Sequence, residues 1–269
     1  MEADQQIKTA GKISAAFFFG LILGIAAGLV GVGGGEFRIP VLLHIIKLPV
    51  VTAIAVNLLV GFLTVVVSFL RRFQLGLLNV HSLSIALIMS ATSIVGAYMG
   101  ALLTVRIPDK PLKKFLAAFL VIVGLKIGLE PFIEIPAAFT LTLTLGFVEQ
   151  SLLAGLVGLA IGVVSGALGV AGGEFRIPAL IYIFSLDVVE AGTTSLLVSI
   201  PTVASGFIKH HSLGHINKDA GVIAIVMGAG SVIGAFLGAS FASVAEKDVL
   251  KVLLGLILVL ATVRMATKP

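Results

Sequence analysis

Long apolar runs occupy most of this chain and restrict its fold more than any other feature. Eight of them approach the roughly 20 residues that a helix needs to cross the hydrocarbon core of a bilayer. They lie at about residues 13–32, 50–70, 82–103, 112–129, 151–171, 188–208, 219–241 and 248–266. Barrel strands would instead alternate apolar and polar residues over about ten positions. With 58% apolar and only 12% charged residues, the chain is predicted to be an all-α integral membrane protein.

A charged, glycine-rich motif occurs twice. GLVGVGGGEFRIP at 28–40 and GALGVAGGEFRIP at 166–178 are identical at ten of thirteen positions, at an offset of 138 residues. The same offset aligns further glycines without a gap, including Gly20 with Gly158 and Gly24 with Gly162. Two homologous repeats, 1–129 and 149–269, are therefore predicted, joined by the linker 130–148. Glycines four residues apart predict close helix packing.

The distribution of basic residues favours an inverted relation between the repeats. If each repeat crossed the membrane four times, the copies would be parallel and the basic residues outside the motif would divide nine against seven. If each repeat begins with a re-entrant hairpin that ends in a half-helix (40–47 and 178–185) and then crosses three times, they divide eleven against five. The positive-inside rule prefers the second arrangement, with both termini cytoplasmic. A first helix of 20 residues can also span, so the parallel copy stays an alternative.

The motif is predicted to form a turn followed by a new helix. Its glycines permit backbone conformations closed to other residues, and Pro40 disfavours helix at Ile39 while fitting the first turn of a helix itself. A half-helix is therefore expected to begin beside Arg38, and a second at Pro178 beside Arg176. Helix N-termini carry a partial positive charge and bind anions. Inverted repeats would bring both turns to one anion site near the membrane midplane.

The residues predicted to bind substrate are charged, polar or part of the turns. Ionised groups in hydrocarbon cost several kcal/mol unless they face protein or water, so a duplicated charged motif there indicates function. The set comprises Arg38, Arg176, Glu36, Glu174, Gly34, Gly35, Gly172, Gly173, Asn57, Thr194 and Ser195. Two alternatives stay open for the charges: structural Glu–Arg pairs without a ligand, or arginines that bind the anion while a glutamate orients them or carries a proton. The hydroxyl and amide groups can bind an oxyanion or bond neighbouring helices.

Other classes of function find little support. The chain has no cysteine, which excludes thiolate chemistry, and it lacks HExxH and GxSxG patterns, so we do not expect an enzyme. His210, His211 and His215 lack a fourth ligand, so neither a metal nor a cofactor is predicted. The net charge of +5 fits cytoplasmic basic loops and requires no nucleic acid. The first 12 residues carry two acids and two lysines before a full-length apolar run, which is predicted to be a retained helix rather than a signal peptide.

Several of these features resemble the TauE/SafE family of sulfite exporters and related membrane permeases. They are the Gly-rich turn and proline at the start of each half, the stretch GTTSL at 192–196, and the loop glycines Gly76 and Gly214. The resemblance covers nearly the whole chain and implies secondary transport of sulfite, thiosulfate, sulfoacetate or other organosulfur anions across a prokaryotic inner membrane. Positions 36–38 and 174–176 are commonly apolar in that family and read Glu-Phe-Arg here, which is compatible with a subfamily that has its own anion.

The function predicted from the sequence is thus a secondary membrane transporter of small anions in the cell inner membrane. Its partners would be a small anionic substrate and the lipid bilayer; a coupling proton or ion and a homo-oligomer stay open. An anion-selective channel, in which the arginines line a pore, is the alternative in mechanism. A structural membrane subunit that transports nothing is the alternative in class.

Overall fold

The computed structural model describes the backbone of residues 2–103, 109–133, 146–168, 171–212 and 218–267, and side chains within 11–100, 116–133, 146–165, 171–208 and 218–262. These parts of the chain are helical and contain no strand. The elements are α1 (Glu2–Val30), α2 (Gly35–Pro40, continued by a π-helical segment Val41–Ile45), α3 (Val50–Gln74), α4 (Val80–Leu103), α5 (Asp109–Leu129), α6 (Phe147–Leu168), α7 (Gly173–Tyr182), α8 (Val188–Ser212), α9 (Lys218–Phe241) and α10 (Lys247–Thr267). Most of the linker, Gly214, His215 and the side chains of His210 and His211 lie outside the described residues.

Six helices in the described part of the chain are long and apolar enough to cross a membrane. They are Gly11–Val30, Val50–Gln74, Val80–Gly100, Phe147–Ser165, Val188–Ile208 and Lys218–Phe241. Large apolar side chains such as Leu152 and Ile225 point outward, whereas charged and polar side chains such as Arg38 and Ser231 are buried. This inside-out distribution is expected of a chain whose solvent is lipid. The protein is a multi-pass integral membrane protein.

Close packing of glycines joins α1 to α9 and α4 to α6. A Cβ atom on Gly20 or Gly24 would overlap the backbone of Met227 or Ser231. The same relation recurs 138 residues away, where a Cβ on Gly158 or Gly162 would overlap the backbone of Met89 or Ser93. Ser231 Oγ donates to the Gly20 carbonyl at 3.1 Å, and Ser93 Oγ donates to the Gly158 carbonyl at 2.9 Å. Small residues thus let backbones touch where lipid supplies no hydrophobic driving force.

Contacts along the helices give their relative directions. The partners of α1 on α9 ascend in step with it, so these helices are parallel. Helices α3 and α9 are parallel too, because Leu63 lies beside Gly228 and Arg71 Nε donates to Ser240 Oγ at 2.8 Å. Since α1 and α3 therefore point the same way, the chain must return between them, and α2 lies on that return path.

Equivalent helices of the two halves run antiparallel. In the α3–α8 pair, Leu58 contacts Gly206 while Val203 lies beside Gly61. In the α5–α10 pair, a Cβ on Gly124 would meet Leu258, whereas one on Gly128 would meet Gly255. Each pair therefore has rising residue numbers on one helix against falling numbers on the other.

The half-helices begin earlier than predicted. They start at Gly35 and Gly173 rather than at Pro40 and Pro178. The reason is that Gly34 and Gly172 adopt left-handed conformations (φ 70° and 74°), which end the turn and let a helix begin at the next residue. Pro40 then lies inside the helix, where it cannot donate a hydrogen bond, and the helix widens into the π-helical segment.

Asp187 fixes the start of α8. Its Oδ1 accepts hydrogen bonds from the Val189 amide at 2.9 Å and the Glu190 amide at 3.0 Å, and its Oδ2 pairs with Lys247 Nζ at 3.1 Å. Partial burial raises the pKa of Asp187, but the hydrogen bonds and the lysine charge outweigh it, so the pKa lies below its ordinary value. The carboxylate is an N-cap that also ties α8 to α10.

Candidate functional site

The two Gly-rich turns meet at the centre of the molecule. A Cβ on Gly33 would lie 3.9 Å from the Ala171 Cβ, and one on Gly173 would overlap the Val32 carbonyl. Gly33 also lies beside Val65, close to the middle of the 25-residue α3. The turns therefore touch each other at mid-depth, and Gly173 allows the contact because it has no side chain.

Arg38 is fully buried and held by residues of its own half. Its NH1 donates to Asn57 Oδ1 at 3.2 Å, and its NH2 donates to the Gly33 carbonyl at 3.1 Å and to Thr64 Oγ1 at 3.3 Å. A Cβ on Gly35 would lie 3.2 Å from Asn57 Nδ2, so this glycine gives the amide room. Turn and helix α3 thus fix the guanidinium between them.

Arg176 has the corresponding arrangement in the second half. Its NH1 donates to the Ser195 carbonyl at 3.1 Å and to Ser199 Oγ at 2.8 Å, and its NH2 donates to the Ala171 carbonyl at 3.3 Å. Position 199 corresponds to Gly61, so the serine hydroxyl has no counterpart beside Arg38. All of these acceptors are neutral, so the hydrogen bonds position both cations without cancelling their charge.

The carboxyl groups of Glu36 and Glu174 contact each other across the interface between the halves. They are equivalent positions, only 5% and 3% exposed, and their side chains are hydrogen-bonded to one another. Each also lies close enough to the arginine two residues along its half-helix to attract it electrostatically. The centre of the molecule therefore combines two cations with a pair of carboxyl groups.

Four buried donors near this centre have no hydrogen-bond partner within the described residues. They are Arg38 Nε, Arg176 Nε, Thr194 Oγ1 and Ser195 Oγ. All four residues have no exposed surface. A buried donor left unpaired costs about 1–3 kcal/mol, so a group of them calls for an explanation. An oxyanion, which accepts several hydrogen bonds at once, would satisfy them.

The structure thus brings most of the predicted residues together around the two turns. Arg38, Asn57 and the turn glycines of the first half adjoin one another, as do Arg176 and Ser195 in the second, and the glutamates join the halves. Asn57 and Ser195 contact the arginine of their own repeat, Asn57 through its side chain and Ser195 through its carbonyl. Two partners were missed, Thr64 and Ser199. Spacings of seven and four residues from Asn57 and Ser195 place them on the same helix faces, a signal that the sequence does contain.

Arg72 is a buried residue whose role the sequence did not reveal beyond anchoring a helix end. Its Nε and NH2 donate to the carbonyls of Gly28 and Leu29 at the end of α1, at 3.0 and 2.7 Å. Its NH1 donates to the Val189 carbonyl at 2.9 Å and to Thr193 Oγ1 at 3.0 Å in α8. Arg72 therefore links three helices from both halves, a contact between positions more than 100 residues apart.

Helices of this kind packed around a central pair of charged turns define a multi-pass membrane protein with a polar centre. The chain belongs to the TauE/SafE family: the family model described as "Sulfite exporter TauE/SafE" matches residues 2–127 and 154–269. The two matched segments correspond closely to the halves that carry the motifs.

Curated relatives match over nearly their full length. The chain is 29% identical over 230 residues to the "Probable membrane transporter protein YdhB" of Bacillus subtilis (strain 168), covering 86% of this chain and 90% of that protein. It is 26% identical over 266 residues to the "Probable membrane transporter protein ORF9" of Sinorhizobium sp, covering 95% and 91%. No solved structure matches the chain.

Proposed function

We propose that this protein is a secondary transporter that binds a small anion between its two Gly-rich turns. Membership of a sulfite exporter family and the names of the two relatives support a transport role. The observation that carries the anion assignment is the pair of buried arginines whose hydrogen-bonded neighbours are neutral, accompanied by unpartnered donors. Cations held in this way inside a membrane attract an anion strongly, because the surroundings have a low dielectric constant.

The donor set suits a tetrahedral or pyramidal oxyanion. Arg38 Nε and Arg176 Nε would approach from the two halves, and the hydroxyl groups of Thr194 and Ser195 would donate from α8. Sulfite, thiosulfate and organosulfur anions such as sulfonates present two or three oxygens to such donors and agree with the family. The Glu-Phe-Arg triplets are this chain's own means of selecting among them.

An inverted repeat with both termini on the cytoplasmic side accounts for the helix directions. A two-fold axis in the membrane plane reverses each helix, and the antiparallel α3–α8 and α5–α10 pairs support such an axis. The reciprocal contacts of α1 with α9 and α6 with α4 support it as well. Transport would follow when the two halves shift about the bound anion and open the site to each side in turn.

Counterflow in proteoliposomes tests the proposal. Vesicles are loaded with unlabelled sulfite, thiosulfate or methanesulfonate, and entry of the same labelled anion is measured against an equal concentration outside. We expect saturable transient accumulation, and at least a tenfold loss in Arg38→Gln and in Arg176→Gln. Arg71→Gln is the matched control, because it removes an arginine from the end of α3 that contacts Ser240 and Phe236.

Each other outcome rejects a stated part of the proposal. Non-saturable entry without counterflow would indicate a channel. No entry of any anion would favour a structural subunit. Unchanged counterflow in both site variants would place the substrate elsewhere in the protein.

A further inference from the structure

The contact between two acidic side chains at the centre has a chemical requirement. An ionised carboxylate only accepts hydrogen bonds, so Glu36 and Glu174 can be hydrogen-bonded to each other only when one of them carries a proton. Two carboxylates that share one buried site do not both ionise readily, because like charges repel strongly in a medium of low dielectric constant. The pair therefore acts as one group that holds a proton or releases it.

The charges around the pair connect this proton to the anion. Arg38 and Arg176 contribute two positive charges, and the singly protonated pair contributes one negative charge, so the centre has a net charge of +1. Without the proton the two negative charges cancel the two positive ones, and nothing remains to attract an anion. Proton uptake therefore prepares the site for an anion, and proton loss favours the release of that anion.

The remaining charged groups are engaged away from the pair. The helices packed against α2 are α1, α3 and α10, and those packed against α7 are α5, α6 and α8. Their described charged residues lie at the exposed start of α1 (Lys12), at the end of α3 (Arg71, Arg72), beside the Tyr182 ring (Lys126), at helix starts (Glu149, Glu190, Asp248) and in ion pairs (Lys247 with Asp187, Lys251 with Glu130). The two motif arginines are thus the charges that act on the carboxyl pair.

We propose that Glu36 and Glu174 together form the proton site that couples anion transport to the proton gradient. One proton enters from water on one side, binds the pair together with an anion at the arginines, and leaves with that anion to water on the other side. The inference rests on the proposed function, since it assigns the coupling ion of the same centre. It separates the carboxyl groups from the arginines in role: the arginines bind the substrate and the glutamates bind the proton.

Uptake driven by a pH gradient tests this assignment. Proteoliposomes carry the anion that gives the strongest counterflow among sulfite, thiosulfate and methanesulfonate, and potassium with valinomycin holds the membrane potential at zero. With the outside more acidic by about one pH unit, one proton per anion allows about tenfold accumulation. We expect this accumulation in the unaltered protein, together with acidification of an internal pH dye.

The informative variant is Glu36→Gln/Glu174→Gln, which keeps the size and hydrogen bonding of the pair but cannot exchange a proton. We expect it to retain counterflow and to lose both gradient-driven accumulation and dye acidification. Either single variant should uncouple as fully as the double variant, because the remaining carboxylate receives a hydrogen bond from the new amide and stays charged. Glu149→Gln, at the exposed start of α6, is the matched control and should behave like the unaltered protein.

The outcomes separate this inference from the proposed function. Counterflow without any effect of the pH gradient, or accumulation that persists in the double variant, would overturn the proton site and leave the anion site intact. Loss of counterflow in the glutamine variants would also overturn it, because the carboxyl groups would then serve the anion itself. Absence of counterflow in the unaltered protein would overturn the transport function.

Discussion

The close approach of α1 and α9 predicts opposite effects for two glycine substitutions on one helix. A Cβ on Gly234 would overlap the Leu21 carbonyl oxygen and lie 2.8 Å from the Ile25 amide nitrogen, so alanine there must push the two backbones apart. A Cβ on Gly221, on the same helix, would have no neighbour within 4 Å. The two variants therefore make the same chemical change with and without a steric conflict.

The expected magnitudes follow from two terms. Alanine is favoured over glycine inside a helix by about 0.5–1 kcal/mol. Forcing extra atoms into a well-packed interface costs about 1–3 kcal/mol. Gly221→Ala should therefore be neutral or slightly more stable than the parent, and Gly234→Ala should be less stable than Gly221→Ala by about 1–3 kcal/mol, because the helix term cancels between them.

The assay has to suit a chain without tryptophan or cysteine, since neither intrinsic tryptophan fluorescence nor a thiol-reactive dye will report its unfolding. We would heat detergent-solubilised protein and measure the fraction that remains monodisperse by size-exclusion chromatography. Gly96→Ala, the equivalent change where α4 meets α6, should resemble Gly234→Ala, because its Cβ would overlap the Leu159 carbonyl. A midpoint for Gly234→Ala at or above that of Gly221→Ala would refute the packing argument.

Three further predictions use the same heating assay. Arg72→Gln should lower stability by about 2 kcal/mol or more, since it leaves buried carbonyls without donors, whereas Arg71→Gln should cost much less; equal losses would contradict the bracing role. Asp187→Asn should destabilise by about 1 kcal/mol at neutral pH, and because the folded-state pKa of Asp187 is lowered, its advantage over asparagine should vanish as the pH falls through that pKa; a difference that persists in acid would contradict this. Ser199→Ala should destabilise the ligand-free protein, whereas Ser195→Ala, which removes an unpartnered hydroxyl, should weaken only stabilisation by the bound anion; the reverse pattern would exclude Ser195 from the site.

Much of the architecture was accessible from the sequence because the bilayer imposes a simple rule on length and polarity. The predicted runs that begin at residues 50 and 188 correspond to α3 and α8. Duplication of the charged motif also pointed to the residues that gather at the centre. These inferences needed only local composition and an internal comparison of the two halves.

Features that depend on three-dimensional contact were not predictable in the same way. The half-helix start depends on the left-handed conformation of Gly34, which competes with the proline signal at Pro40. The carboxyl–carboxyl contact arises because the halves place Glu36 and Glu174 face to face, and the sequence alone favoured Glu–Arg pairs equally. Arg72 was missed as a three-helix brace because its partners are distant in the chain.

Anion binding to variants of the two motif arginines tests the central claim most directly. Purified protein is heated with and without sulfite, thiosulfate, methanesulfonate, sulfate or phosphate, and the gain in stability is compared among the parent, Arg38→Gln, Arg176→Gln and Arg71→Gln. An anion present at 100 times its Kd should stabilise the parent and Arg71→Gln by about 2.7 kcal/mol. We expect the gain to disappear in Arg38→Gln and in Arg176→Gln alike, because both arginines hold one anion. A gain that survives in either variant at the parent's magnitude would contradict a shared site between the two turns.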